Sequence, residues 1–111
     1  MSDYPGEFEQ LVLFALIRLG KDAYGVTIRQ EVESRTKRNV SAGAVYTALE
    51  RMEEKGFVTS RFGEPTRMRG GKRKKFYKLE PRGAKALSRA YAAVQAMAGG
   101  IRSFNRQKFE S

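Results

Sequence analysis

Most of the side chains that could do chemistry lie in one basic segment, residues 61–78. The segment holds eight Lys and Arg residues and one acidic residue, with Gly70 and Gly71 near its centre. Clustered cations bind the phosphates of a polyanion, and a glycine pair lets the backbone follow a curved surface. The alternative is a solvated loop, but the charge exceeds what solubility requires. The basic residues around the glycines are Arg61, Arg67, Arg69, Lys72, Arg73, Lys74 and Lys75.

A second group, in residues 41–50, has the spacing of one helix face. Ala42 and Gly43 carry almost no side chain, so the free amides of a helix start there can approach a phosphate. One turn on, Tyr46 and Thr47 can hydrogen-bond to a phosphate or a base edge. Glu50 shares this face, so the helix itself is not basic. The charge that binds nucleic acid must therefore come from residues 61–78.

The overall composition favours a polyanion partner and excludes most enzyme mechanisms. The 111 residues include 22 Lys and Arg against 12 Asp and Glu, a formal net charge of +10 with a pI near 10.2. Residues 1–60 are nearly neutral, so the excess lies in the second half. The lack of Cys and His excludes thiol nucleophiles, histidine bases and the zinc sites built from them. We expect no catalysis, no metal and no cofactor.

Length and hydropathy favour a single small domain in the cytoplasm. A chain of 111 residues has room for one core. The longest apolar run, residues 11–17, is far shorter than the roughly 18 residues of a membrane span. It also lacks the basic start and the cleavage site of a signal peptide.

Three helices are predicted in the first half of the chain. The first runs from Phe8 to Leu19, and Asp22 is the expected cap of the second, which ends near residues 35–37. The third is capped by Ser41, with Val40 packing onto Val45, and ends at Gly56. The expected buried residues are Leu11, Val12, Ala15, Leu16 and Leu19 in the first helix, Tyr24, Ile28 and Val32 in the second, and Val45, Ala48, Leu49 and Met52 in the third.

Two short runs rich in β-branched and aromatic residues, residues 57–62 and 74–79, predict a hairpin with a long tip. Alternation places Val58, Phe62, Tyr77 and Leu79 on its inward side.

Pro81 suits the first turn of a final helix, which Gly99 and Gly100 interrupt. Along this helix the apolar spacing is typical of a seam between helices. The seam could pack on the first helix or on a partner, and the small core of a short chain favours the partner. The first helix is also apolar outside its main stripe, at Leu13, Phe14 and Ile17. Either the other helices of the domain or a second subunit could cover these side chains, and the sequence favours neither. The residues of the seam are Ala84, Leu87, Tyr91, Val94 and Ala98.

This order of elements is that of a winged helix-turn-helix: a mainly α fold with three helices, a two-stranded wing and a C-terminal dimerisation helix. In such a fold the third helix enters the DNA major groove and the wing reaches the neighbouring backbone. We expect residues 1–80 to form the DNA-binding domain and residues 81–111 to form the dimerisation helix, within one compact unit. The predicted dimer contacts are Leu87, Tyr91 and Val94.

Three segments of the sequence resemble the PadR-like family of transcriptional regulators. They read LVLFALIRLGKDAYGVTI (residues 11–28), VSAGAVYTALERMEEKGFVTS (residues 40–60) and GGKRKKFYKLEPRGAKAL (residues 70–87). The middle block is only moderately specific, whereas the DAYG motif and the basic wing together make a strong match. One departure is Glu80, which stands where many relatives have Thr before the proline.

The resemblance implies a homodimeric repressor that binds a palindromic operator and dimerises through its C-terminal helix. It also implies that Tyr24 orients the second helix. Some relatives bind flat aromatic effectors near the dimer interface; here Phe14, Tyr91, Met97 and Phe104 could line such a space, although apolar residues at this spacing are more often core. The implied DNA contacts are Ser41, Gly43 and Tyr46 in the groove and Arg69, Lys72, Arg73 and Lys75 in the wing.

Together these observations predict a sequence-specific, homodimeric repressor that binds double-stranded DNA and that an aromatic small molecule could relieve. One alternative is an RNA-binding winged helix, which the lack of an aromatic sheet face disfavours. Another is a winged helix that serves only as a protein-interaction module. The predicted DNA-binding residues are Ser41, Ala42, Gly43, Tyr46 and Thr47 in the recognition helix and Arg67, Arg69, Lys72, Arg73, Lys74 and Lys75 in the wing.

Overall fold

Four helices and one antiparallel hairpin follow one another in the predicted order of a winged helix-turn-helix. The computed structural model describes residues 4–64 and 73–101. The predicted mainly α fold class is confirmed. The elements are α1 (Glu7–Leu19), α2 (Gly25–Thr36), α3 (Ala42–Glu54), β1 (Val58–Phe62), β2 (Lys75–Leu79) and α4 (Pro81–Ala98), with a short 3-10 turn (Gly20–Asp22) between α1 and α2.

Helix α1 lies at the centre of the core and contacts α2, α3, α4 and β2. Val12, Ala15 and Leu16 are buried as predicted, whereas Leu11 and Leu19 are only partly covered. Leu13, placed outside the predicted stripe, is fully buried, because α1 is covered on more than one side. The described part of the chain contains no helix with the length and apolarity needed to cross a lipid bilayer.

The predicted cap of α2 is wrong. Asp22 belongs to the 3-10 turn, and Tyr24 is the residue at the cap position. The Thr27 hydroxyl accepts a hydrogen bond from the Tyr24 N–H at 3.0 Å and lies 2.6 Å from the Asp22 carbonyl oxygen, to which it donates. The 3-10 turn extends the link between the helices, so α2 begins at Gly25, three residues after Asp22.

Helix α3 begins as predicted. The Ser41 Oγ accepts a hydrogen bond from the Ala44 N–H at 3.0 Å, which satisfies one of the free amides at the helix start. Gly56 follows the helix with a φ of 79°, a left-handed conformation that favours glycine. Val40 and all four residues predicted to face inward, Val45, Ala48, Leu49 and Met52, are buried.

The hairpin pairs β1 with β2, with Val58 opposite Leu79 and Phe62 opposite Lys75. Val58 and Tyr77 are buried as predicted, and Leu79 packs partly against the core. The prediction for Phe62 is wrong: its side chain is 59% exposed. Alternation places it on the inner face, but it is the last residue of β1, five positions after the buried Phe57, where core residues no longer cover it.

Helix α4 starts at Pro81 as predicted and ends at Ala98, before Gly99. Its first turn lies against the link between α3 and β1, since a Cβ added at Gly83 would overlap the carbonyl oxygen of Phe57. The predicted seam needs one correction. Leu87 is buried in the core of its own chain and cannot offer a free surface to a partner, whereas Tyr91 and Val94 are exposed.

Polar contacts hold the turn between α2 and α3 in place. The Glu33 carboxylate accepts a hydrogen bond from the Val40 N–H at 3.0 Å. An Nη1 atom of Arg38 lies 3.0 Å from a Glu7 carboxylate oxygen, which connects the turn to the start of α1. Such exposed ion pairs add little stability, but these contacts fix the turn that orients α3.

Candidate nucleic-acid interface

The start of α3 is open to solvent. Ser41, Ala42 and Gly43 are exposed, and a Cβ added at Gly43 would meet no heavy atom of the described residues within 4 Å. Helix geometry leaves the first N–H groups without an intrahelical acceptor, and the Ser41 hydroxyl already caps Ala44. The amides of Ala42 and Gly43 therefore face space that a phosphate group could occupy.

The rest of the predicted groove face is also exposed and includes Tyr46, Thr47 and Glu50. Tyr46 is half-exposed, but it does not project freely. Its hydroxyl lies against the first residue of α2, where a Cβ added at Gly25 would come within 2.5 Å of it. The position of the Tyr46 ring on the groove face is therefore set by close approach to α2.

Contacts between α3 and the hairpin fix the wing relative to the groove face. The Ser60 hydroxyl donates a hydrogen bond to the Glu53 carboxylate at 2.7 Å. Tyr77 of β2 lies near the same carboxylate. Burial raises the pKa of Tyr77, and the neighbouring Glu53, Tyr46 and Glu50 raise it further.

A stack of aromatic and basic side chains forms the base of the wing. The Arg61 guanidinium lies 4.9 Å from the centre of the Phe76 ring, and the Lys74 ammonium lies 4.5 Å from the centre of the Tyr24 ring. The two rings pack edge to face with centroids 5.4 Å apart. Each cation–π contact at an exposed site stabilises by about 0.5 to 1 kcal/mol. The stack attaches two wing cations to Tyr24, the residue at the cap position of α2.

Three of the six predicted wing contacts lie within the described residues. Arg73 and Lys74 are exposed, and Lys75 is half-buried, with its ammonium 5.7 Å from the Phe62 ring centre and 5.8 Å from that of Tyr77. The remaining predicted wing residues lie outside the described residues; they are Arg67, Arg69 and Lys72.

Sequence reasoning missed the two contacts that orient these groups. The stack of Arg61, Phe76, Tyr24 and Lys74 joins residues far apart in the chain, so no local pattern shows it. The approach of Tyr46 to Gly25 left a weak signal: a glycine in the first turn of a helix, where a residue with better helix propensity would be expected.

An apolar surface lies apart from the groove face, on α1 and α4. Phe14 and Tyr91 pack edge to face with ring centroids 5.8 Å apart, and both are at least one-third exposed. Val94 and Met97 continue this surface and are more exposed still. We call these four residues the α1–α4 apolar face. Of the predicted effector-lining residues, the structure brings Phe14 and Tyr91 together, and Phe104 lies outside the described residues.

Comparison with known proteins identifies the family. The family model described as "Transcriptional regulator PadR-like family" matches residues 12–89, which include all of α2, α3, β1 and β2 and parts of α1 and α4. The chain belongs to the PadR-like family of transcriptional regulators. The predicted resemblance is therefore confirmed. No curated protein matches the sequence.

Solved structures agree with this assignment. A transcriptional regulator from Clostridium thermocellum has 24% sequence identity and a TM-score of 0.71, with 88% of this chain and 89% of that chain covered. A PadR family transcription regulator from hypervirulent Clostridium difficile has 29% identity and a TM-score of 0.62, with 86% and 100% covered. A PadR-like transcriptional regulator from Bacillus cereus has 18% identity and a TM-score of 0.66, with 88% and 93% covered.

The close approach of Tyr46 to Gly25 can be tested in this PadR-like regulator by Gly25→Ala. The added methyl group must displace the Tyr46 ring, so we expect the ring resonances of Tyr46 to shift and the free energy of unfolding to fall by about 1 to 3 kcal/mol. NMR spectra and urea denaturation measure the two effects. Gly43→Ala is the matched control, since the same methyl group meets open space there. Unchanged Tyr46 resonances in Gly25→Ala would contradict the contact.

Proposed function

We propose that this PadR-like regulator is a cytoplasmic, homodimeric repressor that binds a palindromic DNA operator. In this proposal, residues 1–80 bind DNA and residues 81–111 serve dimerisation. Helix α3 of each protomer enters the major groove, and each wing lies along an adjacent phosphate backbone. The repressor role rests on the resemblance to the family's repressors; expression of a reporter gene behind the operator, with and without the protein, measures it.

The observation that carries the proposal is the open start of α3, on a helix whose far end is hydrogen-bonded to the base of a basic wing through Glu53 and Ser60. Ala42 and Gly43 are exposed at the helix N-terminus, where amides and the helix dipole favour a phosphate. Tyr46 and Thr47 lie one turn further along the same exposed face, within reach of base edges. Ser41 contributes mainly through its cap, because its hydroxyl already accepts the Ala44 N–H.

The groove face of α3, which carries Glu50 but no Lys or Arg, and the basic wing would divide the work of binding. Phosphate contacts from Arg73, Lys74 and Lys75 supply affinity for any sequence, while base contacts from α3 supply selectivity. Glu50 on the exposed face of α3 repels phosphates, and a carboxylate there can accept a hydrogen bond from a cytosine amino group. The face should therefore bind poorly to DNA without the matching bases.

A second copy of the chain is the proposed occupant of the α1–α4 apolar face. The face exposes Phe14, Tyr91, Val94 and Met97, more contiguous apolar surface than isolated exposed residues would account for. It continues along α4, the helix that the family resemblance assigns to dimerisation. Twofold pairing would place the two α3 helices about one turn of DNA apart, roughly 34 to 36 Å.

Gly43→Ala tests the close approach of α3 to DNA. The methyl group meets no described atom of the protein, so the free energy of unfolding should stay the same or rise by up to about 1 kcal/mol, as expected when a helical glycine becomes alanine. Affinity for DNA fragments that the wild-type protein selects from a random pool should fall at least about tenfold, because the helix can no longer come as close to the phosphate.

The readouts are urea denaturation and fluorescence anisotropy with the selected DNA. Gly83→Ala is the control for stability: the same change should destabilise the protein, because its Cβ would overlap the Phe57 carbonyl oxygen. If the Gly43→Ala variant is stable and binds the selected DNA with wild-type affinity, the start of α3 does not approach DNA closely. Selection that enriches no inverted repeat would contradict the palindromic operator.

Removing two wing cations should weaken binding to every DNA sequence. In the double variant Lys74→Ala with Lys75→Ala, we expect the negative slope of log affinity against log salt concentration to become less steep by about 1.8, or roughly 0.9 for each lost phosphate contact. Anisotropy titrations on operator and random DNA over a range of salt measure the slope. Lys85→Ala with Arg89→Ala removes two exposed cations from α4 and should leave the slope unchanged.

The dimer surface can be tested by Val94→Glu. A carboxylate buried without a partner in the dimer interface should weaken association by about 3 kcal/mol, which is more than 100-fold. Sedimentation equilibrium measures the dissociation constant. Ala92→Glu is the matched control, because residue 92 is exposed and lies on the opposite side of α4. Equal dissociation constants for the two variants would remove Val94 from the interface.

A further inference from the structure

A cavity of about 700 Å³ lies at the base of the wing, and none of its described lining residues belongs to α3. The end of α1 and the 3-10 turn form one wall, and strands β1 and β2 form the other. We call it the wing-root cavity. It is half-open to solvent, and its volume is within the range of about 300 to 1,000 Å³ that is typical of small-molecule sites.

The wing-root cavity is lined by both apolar and basic side chains. Leu16, Ile17, Phe76 and Leu79 contribute apolar surface. Three basic residues line the same cavity: Lys21 from the 3-10 turn, Arg61 from β1 and Lys78 from β2. No carboxylate is among the described lining residues.

The basic groups are attached to fixed parts of the fold. Arg61 is held over the Phe76 ring, with its guanidinium 4.9 Å from the ring centre. The turn that carries Lys21 is fixed to β2 by a hydrogen bond from the Tyr77 N–H to the Ala23 carbonyl oxygen at 2.9 Å. Among the described residues, two carboxylates are hydrogen-bonded to lining residues: Glu80 accepts from the Thr59 hydroxyl at 2.7 Å, and Glu53 accepts from the Ser60 hydroxyl at 2.7 Å. Neither carboxylate belongs to a lining residue.

We propose that the wing-root cavity binds an amphipathic anion, an alkyl carboxylate of medium chain length. The alkyl chain would cover the apolar side chains, and the carboxylate would lie among Lys21, Arg61 and Lys78. Burial of each methylene group favours binding, and three cations favour a negative head group over a neutral or positive one. A nucleic-acid phosphate could meet the cations, but it has no apolar part to cover Leu16 and Ile17.

This site is separate from the proposed contacts of α3 with DNA, so binding can be measured without any DNA. Titration of the full chain with decanoate, by isothermal titration calorimetry, should show one bound molecule per chain. Acetate, which has the head group without the chain, should bind at least 100-fold more weakly. Decyltrimethylammonium, which has the chain with a positive head group, should bind at least tenfold more weakly.

Two lysine substitutions and NMR shifts locate the site. The variant Lys21→Gln with Lys78→Gln should bind decanoate about tenfold more weakly, while Lys85→Gln, an exposed lysine of α4 outside the cavity, should bind it normally. Decanoate should shift the methyl resonances of Leu16, Ile17 and Leu79 and leave those of Val94 unchanged.

Three results would overturn the proposal. They are no binding of decanoate, equal binding of the cationic amphiphile, and shifts centred on Val94 in place of the cavity residues. The last would assign the ligand to the α1–α4 apolar face. None of these results bears on operator binding, so failure of this proposal and failure of the proposed repressor function are distinguishable.

Discussion

The pairing of β2 with the two residues before α2 determines how the wing sits on the helices. The Tyr77 N–H donates a hydrogen bond to the Ala23 carbonyl oxygen at 2.9 Å, and Tyr24 pairs with Phe76 as an isolated bridge. Ala23 and Tyr77 are buried, where an unmade backbone hydrogen bond would be costly. A two-stranded hairpin is marginal on its own, so this third segment gives the wing a fixed base.

Tyr24 and Gly25 connect the wing to the groove face. Tyr24 occupies the cap position of α2, and the residue after it, Gly25, is where the Tyr46 hydroxyl of α3 approaches. The aromatic ring of Tyr24 carries Lys74 above it. One short stretch of chain therefore orients Tyr46, for which we propose a DNA contact, together with Lys74 of the wing.

Local patterns predicted the elements well where a single element carries all the relevant information. The Ser41 cap, the four inward residues of α3 and the Pro81 start of α4 follow from helix periodicity and terminal chemistry. The exposed groove face follows from the same periodicity, because residues that do not face the core must face solvent. Most of the candidate recognition helix could thus be read from residues 40–56.

Predictions that needed the position of another element were less accurate. Leu87 has the spacing of a seam, but whether a seam meets its own core or a partner depends on where α1 lies. Phe62 alternates correctly, yet it extends beyond the residues that cover Val58 and Tyr77. Asp22 is a good capping residue, but the 3-10 turn moved the helix start away from it.

The order of amino acids alone specified the helices, the hairpin, the separation of charge between a neutral first half and a basic second half, and the family. These depend on short-range spacing and on composition, which a linear sequence contains in full. The placement of Tyr46 against Gly25, the stack on Tyr24 and the wing-root cavity depended on packing. Each brings together side chains from segments that are distant in the sequence. These side chains come into contact only when the core packs, so local sequence patterns do not show the contacts.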